Sequence, residues 1–190
     1  MIKTKIQRCD KMFDYEKFEN DIVNQVEKTL KKWMEEHEDI YILSLDCTRE
    51  MDSIGIIANT KQYLEEQAEP DDYWYYKYCE EEWELFHTFQ GISSYMRQYT
   101  EENEETFSEK KNDKYYEYTE KMDAHCDKMI ETCKKALCRL KQSISETYPD
   151  LLLAFYIREY LDEEERGEIF EMINGEEAAK EYVEHLEDFV

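Results

Sequence analysis

The chain has 190 residues, of which 38% are charged, and its 48 acidic residues outnumber its 24 basic residues to give a formal net charge of -24. Such a charge repels nucleic acids and anionic membranes, and it attracts basic partners. Because 41% of the residues are hydrophobic and 14% are aromatic, with few Gly or Pro residues, we expect a folded domain rather than a disordered acidic chain.

Six cysteines could form three disulfide bonds in a small secreted protein. The first ten residues, however, lack the apolar run of a signal peptide, and no later run approaches the length of a membrane span. We therefore predict a cytoplasmic protein with free thiols.

The first predicted element is a long helix over residues 13–37. Its apolar residues recur at spacings of four, four, four and three, which places them on one helix face. They are Phe18, Ile22, Val26, Leu30 and Trp33.

Short β-branched runs then predict two strands, over residues 40–46 and 53–59, which we expect to pair antiparallel. Thr60 can cap a short helix that ends at Gln67. The aromatic run over residues 73–79 predicts a third strand, since bulky aromatic side chains favour a pleated sheet.

Apolar residues at helical spacing predict a second long helix from Glu80 to about Tyr99. Residues 100–113 carry one aromatic and no aliphatic core residue, which predicts a solvated helix end or a mobile loop. A third long helix is predicted over residues 115–144, and its apolar stripe contains Cys126 and Cys133 as buried thiols.

The near-continuous apolar run over residues 151–161 predicts a central strand, with a buried helix as the alternative. Asp162 and Glu165 form a helix start signal, and Asn174-Gly175 form a stop signal. A last helix is predicted over residues 176–187. Together these elements predict a single α+β domain over residues 1–190, with about four mostly antiparallel strands packed against four or five helices.

The sequence contains no recognisable catalytic, phosphate-binding or metal-binding motif. The glycines are isolated, and no Cys/His spacing of the zinc type occurs. We therefore predict no catalytic residues, no metal and no cofactor. An enzyme with an unrecognised carboxylate or tyrosine site remains an alternative.

The segment DDYWYYKYCEEEW, at residues 71–83, is the most unusual local feature. On a strand, one aromatic row would fill the core and the second, with Tyr73 and Tyr75, could face solvent. Tyrosine and tryptophan are favoured at protein interfaces. We therefore predict a binding site for a basic protein at Asp71, Asp72, Tyr73, Tyr75, Glu80, Glu81 and Glu82. The alternative is that helices cover both faces of this strand.

The charge is concentrated in two stretches. Residues 61–120 hold 17 acidic and 6 basic residues, and residues 162–190 hold 12 acidic and 2 basic residues. If these stretches converge in space they form a docking face, whereas on opposite sides of the protein they mainly favour solubility.

Three segments carry a resemblance to a known family: LSLDCTREMDSIGIIANT at residues 43–60, YWYYKYCEEEWELF at residues 73–86 and REYLDEEERGEIFEMIN at residues 158–174. They resemble an uncharacterised bacterial family, described only as a domain of unknown function. Since some small bacterial proteins of this kind are suspected to be immunity proteins for toxins, the resemblance implies the same role as the acidic surface. It implies no catalytic residues.

The favoured prediction is thus a cytoplasmic protein-binding domain of the immunity type, which masks a basic toxin or nuclease. It would bind neither nucleic acid nor membrane directly. A mimic of nucleic acid is a further alternative, and it would need carboxylates spaced like phosphates along a ridge.

Overall fold

The computed structural model describes residues 12–112, 115–157 and 160–189. These residues form eight α-helices, a four-stranded sheet and a separate two-stranded hairpin. The α+β class is confirmed, but the helices outnumber the four or five predicted.

The first half of the chain contains α1 (Tyr15–Glu36), β1 (Ile40–Cys47), β2 (Ile54–Thr60), α2 (Lys61–Gln67), α3 (Tyr73–Tyr78), a 3₁₀ turn (Glu80–Glu82), β3 (Leu85–Thr88) and α4 (Gln90–Glu102). The second half contains α5 (Glu104–Phe107), β4 (Ser108–Asn112), β5 (Tyr115–Tyr118), α6 (Glu120–Ile144), β6 (Leu152–Ile157), α7 (Glu163–Asn174), α8 (Glu176–Glu184) and a second 3₁₀ turn (Leu186–Asp188).

The main sheet has the order β3-β2-β1-β6. Strand β2 pairs antiparallel with both β1 and β3, whereas β6 pairs parallel to β1. The run over residues 151–161 therefore does contain a strand, but its predicted central place is wrong, because β6 lies at an edge. Its residues are apolar because helices cover both faces of the sheet.

Alternate residues of the strands enter two separate cores. On the first face, side chains such as Leu43 and Leu153 pack against α1, α4 and α6. On the second face, side chains such as Ile42 and Ile57 pack against residues of α2, α3 and α8. Helix α7 contributes to both cores, with Ile169 in the first and Phe170 in the second.

Asn174, the last residue of α7, occupies part of the outer edge of β6. Its side-chain Oδ1 accepts from the Leu153 N–H (2.9 Å) and its Nδ2 donates to the Leu153 carbonyl (2.7 Å). The amide thus occupies both backbone groups of Leu153 as a neighbouring strand would. The stop signal at Asn174-Gly175 is confirmed, since Gly175 has a φ of 86°.

Residues 80–99 do not form one helix, and this prediction is wrong. They form the first 3₁₀ turn, strand β3 and the first ten residues of α4. Trp83, Phe86 and Phe89 are three residues apart, which imitates a helix face in the sequence. In the structure Trp83 enters the second core, Phe89 enters the first and Phe86 is exposed.

Residues 100–112 comprise the end of α4, then α5 and β4, and Phe107 of α5 is buried. Residue 113 lies outside the described residues. The third long helix begins at Glu120 rather than at residue 115, because residues 115–118 form β5.

Residue 55 must be a glycine for β3 to lie as close to β2 as it does, and this can be tested by substitution. A Cβ atom at this position would lie 2.5 Å from the backbone oxygen of His87. We expect Gly55→Ala to push β3 away and to lower the free energy of unfolding by about 1–2 kcal/mol in urea denaturation. Gly91→Ala is the matched control, since a Cβ there meets nothing within 4 Å. Equal stability of the two variants would contradict the requirement.

Candidate functional site

The aromatic segment forms a helix, α3, and the predicted third strand is wrong. Trp74 and Tyr78 are four residues apart and therefore lie on the same side of the helix. Tyr78 is buried in the second core, and Trp74 packs against that core. Tyr73 and Tyr75 are each 37% exposed. The predicted alternation of side chains between two strand faces is therefore wrong. Tyr73 and Tyr75 are nevertheless exposed, as predicted.

Helix α3 is held by the C-terminal helix α8 and the turn that follows it. The Trp74 ring stacks on His185 with a centroid distance of 3.8 Å, and Tyr78 meets Tyr182 edge-on at 5.1 Å. Aromatic pairs of this kind stabilise a contact beyond the area that they bury. The α3 part of the first acidic stretch therefore meets the second acidic stretch on the second face of the sheet, whereas the part on α4 and α5 lies against the first face.

Lys77 is the only Lys or Arg residue between positions 62 and 96. Its ammonium group lies 2.5 Å from Glu181 Oε1 and about 5 Å from the ring centres of Tyr73, Trp74 and Tyr78. These contacts neutralise and cover its charge. Partial burial raises the pKa of Glu181, but hydrogen bonds from Lys77 and Tyr78 outweigh this effect and lower the pKa overall.

Exposed carboxylates lie on α8 and on the segments directly before and after α3 and α8. We define the acidic face as these carboxylates together with Tyr73 and Tyr75. Its exposed acidic residues are Glu69, Asp71, Asp72, Glu81, Glu176, Glu177, Glu181, Glu184, Glu187 and Asp188. Within residues 160–189 the only basic residues are Lys180 and Arg166, and Arg166 is buried. The acidic face is thus almost purely negative.

The structure brings most of the predicted site residues to this face. Asp71 and Asp72 are exposed at the start of α3, and Glu81 is exposed and accepts a hydrogen bond from the hydroxyl of Tyr156 (2.8 Å). Glu82 is half-buried and accepts from the Tyr75 hydroxyl (2.9 Å). This hydrogen bond is the main reason that the pKa of Tyr75 lies above its usual value.

Glu80 is the exception among the predicted site residues, because it is only 2% exposed and cannot contact a partner. Its Oε2 accepts a hydrogen bond from Arg166 Nη2 (2.8 Å), and the same nitrogen donates to the hydroxyl of Tyr182 (3.3 Å). Burial raises the pKa of Glu80, and the Arg166 guanidinium opposes that rise. Glu80 Oε1 and Arg166 Nε have no hydrogen-bond partner among the described residues.

The Glu80–Arg166 pair was missed because its members are 86 residues apart in the chain. The one available signal was an arginine inside the run EEERGE, where every other charged residue is acidic. The pair joins the first 3₁₀ turn, which directly follows α3, to α7.

A second buried polar group lies on the first face of the sheet. The Nδ1 atom of His125 lies 2.7 Å from the Tyr15 hydroxyl, and the rings of Phe13, Tyr99 and Phe107 surround it. Burial lowers the pKa of His125 to about 4, so the imidazole is neutral at physiological pH. This cluster is a structural part of the core.

The cysteines of the described residues are free, and Cys126 and Cys133 are buried as predicted. Burial raises the pKa of Cys126 to about 11, which disfavours the reactive thiolate. No group of three His, Cys, Asp or Glu residues in the described part of the chain could hold a metal ion. Among the same residues, every helix is too short or too polar to cross a membrane.

The fold and the acidic face define an α+β protein in which a mixed sheet separates two helical layers. Residues 10–175 match a family described as a domain of unknown function (DUF4303), and the chain belongs to this family. Comparison with curated proteins and with solved structures gave no match. The matched range ends before α8, so the family match covers the α3 side of the acidic face but not the α8 side.

Proposed function

We propose that the chain is a protein-binding domain whose acidic face docks a basic surface of another protein. The contact between α3 and α8 supports this most directly, since it joins two acidic stretches that are about 100 residues apart in the chain. Lys77 would otherwise place a positive charge on the acidic face. It forms an ion pair with Glu181, and three aromatic rings pack around its ammonium group.

Two exposed tyrosines supply the apolar contacts that such a face needs. Carboxylates alone speed encounter and select basic partners, but aromatic anchors contribute much of the affinity in protein interfaces. Tyr75 is held in place by its hydrogen bond to Glu82, and the ring of Tyr73 lies under the Lys77 ammonium. Both side chains are therefore ordered before a partner arrives, which lowers the entropic cost of binding.

The role that fits this surface is that of an immunity-type protein in a bacterial cytoplasm, which inactivates a basic toxin or nuclease by masking its surface. A nuclease must present basic residues to the phosphates of its substrate. A negative face with aromatic anchors competes for the same residues. Such a protein acts by occupancy and needs no chemistry of its own.

Asp71→Asn/Asp72→Asn tests this function, because it removes two exposed negative charges from the acidic face. With the wild-type protein as bait in a bacterial lysate, we expect a basic protein to be retained at about 0.1 M salt and released at about 0.3 M. The double variant should retain at least about tenfold less of it, since electrostatic complementarity is lost.

Glu101→Gln/Glu102→Gln is the matched control, with the same change in net charge on α4, against the first face of the sheet. This variant should retain the partner as the wild type does. Equal losses in both double variants would show that overall charge, and not the acidic face, attracts the partner. A partner whose retention ignores salt would contradict electrostatic docking.

A further inference from the structure

Strand β3 lies at an edge of the main sheet, and among the described residues no strand pairs with its outer side. Phe89 N–H donates to the Ile54 carbonyl (2.9 Å), and Leu85, which is four residues earlier, therefore also directs its backbone groups towards β2. By the same alternation, the backbone groups of Phe86 and Thr88 point away from β2. No backbone or side-chain group of the described residues forms a hydrogen bond with them.

The two edges of the sheet are thus treated differently. At β6 the side chain of Asn174 occupies both backbone groups of Leu153, and the Ile157 carbonyl accepts from the Tyr160 N–H (3.2 Å). Proteins commonly block exposed edges in such ways, because an unpaired edge is a template for another strand. The β3 edge has no such cover among the described residues.

Phe86 stands on this open edge with 60% of its surface exposed. It pairs with Ile57, whose side chain lies in the second core, so Phe86 projects from the same face of the sheet as α3. The open edge is therefore continuous with the side of the protein that carries the acidic face. An added strand could pair with Phe86 and Thr88 and pack a side chain on the Phe86 ring.

The charges next to this edge select the kind of strand that fits. Glu84 is exposed immediately before β3, and Glu82 is half-buried. Lys17 of α1 lines the same cavity as Thr88, and it is already paired with Asp21. A second copy of this chain would bring two strongly acidic surfaces together, whereas an extended segment with Lys or Arg would gain from the same charges.

We propose that the β3 edge binds an extended basic segment of the partner by strand addition. This inference rests on the proposed function and specifies how the partner docks: main-chain hydrogen bonds to Phe86 and Thr88, an apolar contact on Phe86, and ion pairs with the neighbouring glutamates. The acidic face attracts the partner, and the edge fixes its register.

Two labelled octapeptides of equal charge test the proposal by fluorescence anisotropy. One alternates lysine and valine and can form a strand, whereas the other alternates lysine and proline and lacks the N–H groups of four residues. We expect the lysine-valine peptide to bind the wild-type protein at least about tenfold more tightly. Equal affinity of the two peptides, or no binding of either, would overturn strand addition.

Thr88→Pro removes one outward N–H group from the edge, and proline is tolerated at such edge positions. It should weaken binding of the lysine-valine peptide about tenfold and leave the lysine-proline peptide unaffected. The matched control Thr88→Ala keeps the N–H group and should bind both peptides within about twofold of the wild type. Circular dichroism establishes that both variants are folded, and equal binding of the lysine-valine peptide by them would refute the proposal.

Amide hydrogen exchange supplies an independent readout in the unmutated protein. The Phe86 and Thr88 amides should exchange rapidly in the free protein and slow at least about tenfold when the lysine-valine peptide is bound. No change in their exchange would count against pairing at this edge.

The failure of this proposal can be told apart from the failure of the proposed function. If Asp71→Asn/Asp72→Asn weakens both peptides but Thr88→Pro weakens neither, the acidic face binds basic chains and strand addition is refuted. If Thr88→Pro weakens the lysine-valine peptide and Asp71→Asn/Asp72→Asn has no effect, strand addition holds and electrostatic docking by the acidic face fails.

Discussion

Replacing Arg166 with methionine should lower the free energy of unfolding by about 3–5 kcal/mol at pH 7. Methionine approximates the volume of the arginine stem but leaves the Glu80 carboxylate buried without its counter-charge. The Tyr182 hydroxyl also loses its donor, Arg166 Nη2. Urea denaturation followed by tryptophan fluorescence measures the change, because Trp83 lies in the second core.

The loss should depend on pH in a defined direction. Burial already raises the pKa of Glu80 in the wild type, and removing the guanidinium raises it further. A carboxyl group whose pKa is higher in the folded protein than in the unfolded chain destabilises the fold as the pH rises through that interval. The stability difference between Arg166→Met and the wild type should therefore be largest at neutral pH and shrink towards pH 4.

The double variant Glu80→Gln/Arg166→Met separates the buried charge from the lost packing. It should be more stable than Arg166→Met alone at pH 7, since no uncompensated carboxylate remains. A single variant as stable as the wild type would show that the pair contributes little to the fold. A loss that does not change with pH would show that the buried Glu80 charge is not its cause.

Acid should destabilise the wild-type protein through His125. Its pKa is about 4 in the folded state, against an ordinary value of 6.5. Between these two pH values the histidine binds a proton in the unfolded chain but not in the folded protein. The stability is complete above pH 6.5 and is lost as the pH falls towards 4. This single group should remove about 2 kcal/mol between pH 7 and pH 5, and about 3 kcal/mol by pH 4.

Tyr15→Phe/His125→Phe should flatten the pH profile between pH 7 and pH 5, because no imidazole remains to be protonated. Tyr15→Phe alone is the matched control, since it removes the hydroxyl but keeps the buried histidine and hence the pH dependence. Equally steep urea-denaturation profiles for the two variants would show that other groups cause the acid sensitivity.

Elements whose signals are local were predictable from the sequence. The apolar spacing of α1 matches its buried stripe, and Thr60 caps α2 by accepting from the Tyr63 N–H. Asp162 and Glu165 form the capping box of α7 that their spacing indicates. In these cases propensity, capping and burial all favour the same structure.

The aromatic segment was misread because its conformation depends on distant residues. Five aromatic residues in six favour a strand by intrinsic preference, yet the α8 region supplies flat partners for Trp74 and Tyr78 at a spacing of four. Packing of this kind overrides local propensity. The prediction that Tyr73 is exposed was nevertheless correct. The preceding Asp71 and Asp72 favour a surface position whether the segment is a strand or a helix.

The burial of Glu80 could not be predicted from its neighbours. Glu80, Glu81 and Glu82 are identical in chemistry and adjacent in sequence, but the first is buried, the second is exposed and the third is half-buried. Only the position of Arg166 on α7 decides which of them enters the core. Information of this kind lies in the packing of two elements and not in either segment.

The amide of Asn174 makes the two edges of the main sheet different from each other. Identical chains that joined edge to edge, β3 of one against β6 of the next, would repeat the same contact without closure and grow into a filament. Because Asn174 already occupies both backbone groups of Leu153 beside β6, it opposes that repeat at its first step. One side chain thus works against edge-to-edge growth of an acidic, aromatic-rich protein.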